Sequence, residues 1–461
     1  MNRRTARTPG PCGWAVTVLL GLLAVSLWGR DVHAADTPNF LVILADDLGI
    51  GDVSCYRTAD VHTPSIDRLA SEGMLFTTMR ANCTVCSPSR AALLTGMYAD
   101  RVGVPGVIRT HTDNSWGYLD PSVRTLANRL KEAGYHTGIV GKWHLGLESP
   151  NTPTERGFDH FHGFLGDMMD SYTTHLRHGN NYMRLGTEEI HPEGHATELF
   201  TQWAIDYLGE RAASPEQPFF LYLAYNAPHF PIEPPQEWLD RVRERQPDLD
   251  EKRARNVAFV EHFDHGVGQV LEALDQSGLA DNTLVVFTSD NGGSLPHAQN
   301  NDPWRGGKQD HYDGGLRVPF LVRWPGVVQP GSRSDRVGLS FDIVPTFLEL
   351  AGGEQPTDLD AVSMLPTLRG EPTEDADDRL LYFTRREGGL RYGGKSYEAV
   401  IRGGWKLMQN DPFSPLELYD LESDPLEQTD LSGSRRDIVR DLSEALRRQL
   451  QAGGRVPWQG R

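Results

Sequence analysis

Basic residues are in short supply: 45 lysines and arginines stand against 63 aspartates and glutamates, a formal charge of −18. That balance disfavours nucleic-acid backbones and anionic membranes as default partners, and any anionic ligand would need a locally positive pocket. Cysteine is scarcer still, at four. Cys83 and Cys86 make one C-x-x-C, but no second pair exists for a four-thiolate zinc site, so zinc would need histidines from elsewhere. Long apolar runs are lacking except for Trp14–Trp28, which is shorter than the ~20 residues a membrane-spanning helix needs. No fixed-period repeat or long low-complexity stretch occurs, which excludes solenoid and propeller arrays. The single Asn-x-Ser/Thr sequon, at Asn82, leans towards a bacterial periplasmic or secreted protein over a glycosylated lysosomal one.

What is present begins at the N-terminus. Arg3, Arg4 and Arg7 precede the apolar run, and "DVHAAD" follows it with small residues suited to cleavage near Ala34 or Ala35, the layout of a secretory signal peptide. Residues 1–35 are read as that signal, and Cys12 leaves with it. The exported chain keeps three cysteines, which cannot all pair. Because residues 1–35 hold four arginines and one aspartate, the charge falls to −21. The expected location is periplasmic or secreted, with no membrane contact after cleavage.

With 461 residues, 38% of them hydrophobic, the chain can bury a large core, and its length suits two or three domains. Short apolar strands alternate with helical segments, so the fold class is α/β with a largely parallel sheet. "NFLVILADDLG" predicts a buried strand over Phe40–Leu44 that delivers Asp46 and Asp47, and "NTLVVFTSDNGG" a strand over Thr283–Thr288 that delivers Asp290 and Asn291. "YHTGIVGKWH" runs into Lys142 and His144, and "PFFLYLAYNAPHF" into His229. Open α/β sheets bind ligands beyond the carboxyl ends of their strands, so four strands supply one edge with ionisable or ligating groups. Helices are expected from Thr63 as cap with Pro64 in the first turn, across Val123–Leu130 up to Gly134, from Glu251 to Leu279, and after Cys86, with Ser87 as cap and Pro88 in the first turn. An acidic linker near Glu371–Arg379 precedes short strands and a terminal helix that turns Ile438, Leu442, Ala445 and Leu446 inward. The expected division is residues 36–372 as the main domain and residues 373–461 as a smaller α+β subdomain.

Asp46, Asp47, Asp290 and Asn291 offer oxygen only, which suits Ca²⁺ or Mg²⁺ over Zn²⁺. Aspartate and asparagine also punctuate strand ends for purely local reasons. Two such pairs, each directly after a buried strand, favour a metal site. Lys142, His144 and His229, with Lys308 in the glycine-rich "WRGGKQDHYDGG", would supply positive charge and protons for holding an oxyanion and protonating a leaving alkoxide. At residue 86 a helix N-terminus favours anions, with Arg90 one turn along. The Cys83 and Cys86 pair alone leaves redox, zinc and disulfide readings open.

"CSPSRAALLTG", Cys86–Gly96, resembles the sulfatase signature C-x-P-S-R followed by leucine and T-G, and "GYHTGIVGKWH", Gly134–His144, resembles that family's second signature. The similarity continues through "RGFDHFHG", "APHFPIEPP", "GGLRVPFLVRWPG" and "LYDLESDPLEQTDL". The chain therefore resembles the type I, formylglycine-dependent sulfatases of the alkaline phosphatase superfamily. The resemblance implies an alkaline-phosphatase-like fold: a large, mixed, mostly parallel sheet flanked by helices, with a small C-terminal subdomain. It implies that Cys86 is oxidised to formylglycine by a formylglycine-generating or sulfatase-modifying enzyme, which reads Pro88, Ser89 and Arg90. It further implies one Ca²⁺ held by Asp46, Asp47, Asp290, Asn291 and residue 86, with Mg²⁺ the lesser choice. Arg90 and Lys142 would hold the hydrated aldehyde, His144 would assist sulfate release, and His229 and Lys308 would contact the sulfate and the leaving alcohol.

The implied activity is release of inorganic sulfate from a sulfate ester, with a sulfated carbohydrate favoured over an aryl ester. Two rivals are a phosphatase or phosphodiesterase of the same superfamily, which would use Ser or Thr and a second metal, and a carbohydrate-binding pseudoenzyme if Cys86 stays a thiol. Arg57 after "SCY" and Phe341 in "LSFDIVPT" depart from the family pattern without touching the implied catalytic set. Cys83 is then a buried thiol, the preferred reading, or the partner of Cys55. His111, Trp116, His162, His175, Arg385 and Arg391 lie in long polar loops and are candidates for substrate contact.

Overall fold

In the computed structural model, which describes residues 37–57, 60–111, 114–372, 378–387 and 396–453, the strand Asn39–Ala45 (β1) has no exposed side chain. The cause is its position: β1 lies between the parallel strands Phe219–Ala224 (β7) and Thr283–Ser289 (β8), with helices on both faces of the sheet. A strand covered on two faces reads as a continuous apolar run. Leu41, Ile43 and Ala45 pack in one core with helices Pro64–Glu72 (α1), Ala196–Ala212 (α4), Gln236–Arg245 (α5) and Glu251–Gln276 (α6). Phe40, Val42 and Leu44 pack in a second core with helices Cys86–Thr95 (α2), Leu126–Glu132 (α3) and Ile343–Leu350 (α7). The alternation is the two-residue period of a strand. Phe40 sits between stacked rings, 5.2 Å from Tyr135 and 4.1 Å from Phe347.

The remaining strands of this sheet are Met74–Phe76 (β2), His136–Lys142 (β3), His160–Phe164 (β4), Met183–Leu185 (β5), Glu188–Glu189 (β6), Phe320–Arg323 (β9) and Ser332–Ser334 (β10). The ten run in the order β10-β2-β9-β8-β1-β7-β3-β4-β5-β6. The five central strands from β8 to β4 are mutually parallel; β5 and β6 follow antiparallel on one side, and on the other β9 is antiparallel to β8 and β2, with β10 parallel to β2 at the edge. A separate antiparallel sheet of Leu381–Arg386 (β11), Ser396–Arg402 (β12), Trp405–Gln409 (β13) and Glu417–Asp420 (β14) carries the terminal helix Arg436–Gly453 (α8). The expected α/β class, a mixed and mostly parallel sheet with a small C-terminal sheet, is the one observed. The signal peptide assigned to residues 1–35 lies outside the described residues. No helix among those described is long and apolar enough to cross a membrane.

Two helix starts differ from expectation because tertiary contacts replace local caps. Thr63 spends its hydroxyl on Ser54 N, and the amides of Ser65 and Ile66 are instead accepted by Asp264 of α6, at 3.0 and 2.8 Å. Helix α2 begins at Cys86 with Val85 as cap residue, and Ser87 Oγ accepts from Ile108 N at 3.0 Å. Val123 lies before α3, which Thr125 caps with its side chain. In the terminal helix Leu442 and Leu446 are buried, while Ile438 and Ala445 are half-buried. Asn82, the sequon asparagine, is buried, donating to Ser340 Oγ at 2.9 Å and accepting from Phe341 N at 3.4 Å.

The small sheet is joined to the large unit by a buried ionic hub. Asp313 accepts from Arg80 at 2.6 and 3.0 Å, from Arg317 at 2.7 Å and from Lys406 of β13 at 3.0 Å. Lys406 also pairs with Glu427 at 2.7 Å, and Glu427 accepts the Asp313 amide at 2.7 Å. Burial works to raise the Asp313 pKa, but Arg80 and Lys406 hold it well below the carboxylate range. Breaking a buried pair strands charge, so Lys406→Met should destabilise the chain by about 3 kcal/mol in urea unfolding. An unchanged midpoint would mean that the hub does not bind the small sheet.

Candidate active site

Four adjacent parallel strands end at one edge of the sheet, and each hands on a polar side chain there. β1 leads into Asp46 and Asp47, β8 into Asp290 and Asn291, β3 ends in Lys142 and leads to His144, and β7 leads to His229. The convergence expected from the sequence is observed for all of them, and α2 brings Cys86 and Arg90 to the same place. Asp47 and His144 both adopt left-handed backbone conformations, with φ of 65° and 61°. Such strain on a non-glycine residue, of order 1–3 kcal/mol, persists only where surroundings over-determine the conformation. For Asp47 those surroundings are Asp290 Oδ1, which accepts its amide at 3.1 Å, and Asn291 Nδ2, which donates to its Oδ1 at 2.8 Å. Ser289 Oγ accepts from Leu48 N and donates to Asn291 O, both at 2.9 Å, and so ties the two strand ends together. Gly292 continues this path because a Cβ there would lie 2.0 Å from Gly314 O, in the turn that closes the Lys308 loop.

The charged groups interlock. Lys142 Nζ donates to Asp46 Oδ2, Lys308 Nζ to Asp47 Oδ2 at 2.6 Å, and Arg90 Nε to Asp290 Oδ2 at 2.9 Å. Arg90 also donates to Lys142 O at 3.0 Å. Cys86 Sγ lies 3.2 Å from Asp46 Oδ1, 3.8 Å from Asp47 Oδ1 and 3.6 Å from Lys308 Nζ. Burial, then Asp290 and Asp46, push its thiol pKa far up, so residue 86 is no thiolate nucleophile as it stands. Cys83 points elsewhere, its thiol donating to Thr384 O at 3.3 Å, and Cys55, Cys83 and Cys86 are all free. The C-x-x-C is therefore neither a disulfide nor a two-thiol metal clip, and Cys83 is the buried thiol of the preferred reading.

Burial disfavours the charged form of both histidines. Burial, followed by Lys142 and Arg90, drives the His144 pKa well down. Its Nε2 lies 2.7 Å from Ile108 O, a carbonyl that can only accept, so Nε2 carries the proton. Nδ1 keeps a lone pair, buried and without a hydrogen-bond partner. Burial and Lys308 lower His229 to about 4. Its Nδ1 donates to Phe230 O at 2.6 Å, and its Nε2 faces Asp47 Oδ2 at 3.5 Å.

A cation fits these residues. Ligand atoms of Asp46, Asp47, Cys86 and His229 lie within 4.8 Å of one another, so His229 joins the cluster in a place that the oxygen-only set did not give it. Asn291 Oδ1 is buried with no donor, and burial together with Asp46 and Asp47 raises Asp290 to about 7, as expected of a carboxylate enclosed beside two others. A hard divalent cation would relieve both. In a thermal melt of chelator-treated protein, added divalent cation should raise the midpoint of the natural chain, and the gain should shrink in Asn291→Leu. Equal gains would remove Asn291 from the ligand set.

A cavity of about 470 Å³ opens above Cys86, and Asp47, His144, His229 and Lys308 line it with Cys86. His111 and Arg385, two of the six loop candidates, also line it. The others do not: His162 stacks on Trp203 at 3.4 Å, His175 is buried with Nε2 2.9 Å from Gly194 O, and Trp116 packs against Gly106. Arg391 lies outside the described residues. The sequence reading missed Arg109, Arg177, His178, Phe230 and His297, which line the same cavity. Only position betrayed them, since Arg109 stands two residues before His111 and Phe230 directly after His229.

Residues 38–353 match the sulfatase family, and residues 307–453 match the family described as N-sulphoglucosamine sulphohydrolase, C-terminal. The N-acetylgalactosamine-6-sulfatase of Canis lupus familiaris is 33% identical over 417 residues, covering 86% of this chain and 75% of that protein. The steryl-sulfatase of Rattus norvegicus is 32% identical over 441 residues, covering 75% and 73% respectively. Among solved structures, that of Ps i-CgsB in complex with k-i-k-neocarrahexaose superposes with a TM-score of 0.83 at 31% identity, over 92% of this chain and 95% of that one. The chain belongs to the sulfatase family and is a sulfuric ester hydrolase.

Proposed function

We propose that this hydrolase releases sulfate from a sulfated carbohydrate, with Cys86 converted to formylglycine and one Ca²⁺ bound beside it. The observation that carries the reading is the position of Cys86: at the N-terminus of α2, 3.2 Å from Asp46 and 3.6 Å from the Lys308 ammonium. Binding of a neocarrahexaose by the Ps i-CgsB relative and the N-acetylgalactosamine-6-sulfatase names support a sugar over an aryl ester. Asp46, Asp47, Asp290, Asn291 and residue 86 would hold the calcium ion, with His229 beside them. That ion would supply positive charge that eases loss of a proton from residue 86. A hydrated aldehyde at residue 86 supplies two hydroxyls, one to attack sulfur and one whose collapse expels sulfate without attack by water.

The chain's own residues do the rest. Lys142 and Arg90, fixed to Asp46 and Asp290, place positive charge around residue 86 at no cost of reorganisation. Lys308 is held protonated, mainly by Asp47 against the effect of burial, and donates to the sulfate oxygens. The lone pair of His144 Nδ1 takes the proton of the second hydroxyl when sulfate leaves. Negative charge arriving beside His229 favours its protonated form, which then gives a proton from Nε2 to the leaving alcohol. The phosphatase alternative loses ground because residue 86 is neither Ser nor Thr.

The N-terminal signal layout supports an exported, periplasmic or secreted enzyme that meets its formylglycine-generating or sulfatase-modifying enzyme on the way. Mass spectrometry of the residue 86 peptide from protein made together with such an enzyme should find aldehyde or hydrate in place of the thiol. Cys86→Ala should lose about 10⁴-fold or more in turnover, the scale of removing a hydrolase nucleophile, whereas Cys83→Ala keeps it. A persistent thiol in active enzyme would sink the formylglycine step.

A further inference from the structure

The cavity above Cys86 has a second cationic feature besides the residues that would handle the scissile sulfate. Arg109, on the loop after Gly103, and Arg385, on β11 of the small sheet, both line it. Their guanidiniums converge on one carboxylate: Arg109 Nη2 donates to Glu387 Oε2 at 2.6 Å and Arg385 Nε to Glu387 Oε1 at 3.0 Å. Glu387 is buried behind them and does not line the cavity. Arg109 Nη1 also donates to Asn114 O at 3.1 Å, and Arg386 N to Pro105 O at 2.8 Å, so loop and strand are pinned together. The loop is equally tied to the reacting centre: Ile108 donates its amide to Ser87 Oγ and accepts from His144 Nε2.

Two arginines held by one shared carboxylate are preorganised, and their planar donors suit a carboxylate or sulfate. The scissile sulfate does not call for them, because Lys142, Lys308 and Arg90 already surround residue 86. Within the same cavity Phe230 stacks on His297 at 4.5 Å and 17° and is 44% exposed, a flat apolar surface of the kind that packs against a sugar ring. We propose that Arg109 and Arg385 form a subsite for a second anionic group, a carboxylate or another sulfate, carried by the same substrate beside the ester that is cleaved. The inference rests on the sulfated-sugar reading above and specifies which sugars qualify.

The test compares natural enzyme with Arg109→Ala, both verified to carry formylglycine, on four probes: N-acetylgalactosamine 6-sulfate, its 4,6-disulfate, a chondroitin 6-sulfate disaccharide bearing a uronate carboxylate, and 4-nitrophenyl sulfate. The natural enzyme should favour one doubly anionic sugar over the monosulfated sugar by about tenfold or more in kcat/KM, the scale of one charge-assisted contact. The disulfate and uronate arms identify which anion is read. In Arg109→Ala that preference should collapse towards unity, chiefly through KM, and Arg109→Lys should restore part of it. A structural role alone would lower all rates and leave the ratio intact. Should Arg109→Ala not fold, the natural enzyme still decides, because its preference must fall as NaCl is raised. A ratio near one, or a ratio that survives in Arg109→Ala, overturns the subsite alone. Turnover of the aryl ester only overturns both the sugar reading and the subsite, and no turnover of any probe overturns the hydrolytic reading itself.

Discussion

Three carboxylates and three cations, taken out of water together, are the constraint on which the rest of this molecule depends. Asp46, Asp47 and Asp290 face Lys142, Lys308 and Arg90 with almost no solvent access to any of them except Lys308. Each charge alone would cost several kcal/mol to bury, and removing one partner strands another. The cluster is tolerable only if every member is held in place, which is why β1 is sealed on both faces, why Ser289 bridges two strand ends, and why glycine stands at 292. The left-handed backbones of Asp47 and His144 belong to the same account, since local strain is accepted where it aims a side chain into the cluster.

The small C-terminal sheet reads as an appendage in the sequence, yet it helps to build the site. Asp313 gathers Arg80 and Arg317 from one side and Lys406 from the other, and it follows Lys308 by only five residues. The loop that carries Lys308 is thereby clamped between the two sheets. β11 also supplies Arg385 to the cavity wall, so the wall above Cys86 is shared between both parts of the chain.

Much of the reacting centre was legible because its signals are strong and local. A buried parallel strand is a continuous apolar run, and a polar pair directly after it can only sit at the strand's end, which placed Asp46, Asp47, Asp290 and Asn291 without any knowledge of packing. The helix caps were not legible, since the donors at the start of α1 are satisfied by Asp264, some 200 positions away, and Ser87 serves a loop amide. Cavity-lining residues were read least well. His162, expected in a loop, lies in strand β4 and stacks on Trp203, while the Gly194 carbonyl claims His175, and no local pattern reveals such claims. The same holds for Arg109, whose significance lies in a carboxylate 278 residues further on.

The burial of α2 imposes an order in time. Cys86, Pro88, Ser89 and Arg90 are enclosed in the folded chain, Arg90 locked between Asp290 and the Lys142 carbonyl, and nearby Asn82 is bound on both its amide atoms. A catalyst that must grip this stretch as an extended peptide has no access once the helix seats. If residue 86 is converted to formylglycine as proposed, the burial of α2 puts that conversion before the helix seats. On that proposal, a chain that folded before conversion would be correctly shaped and idle.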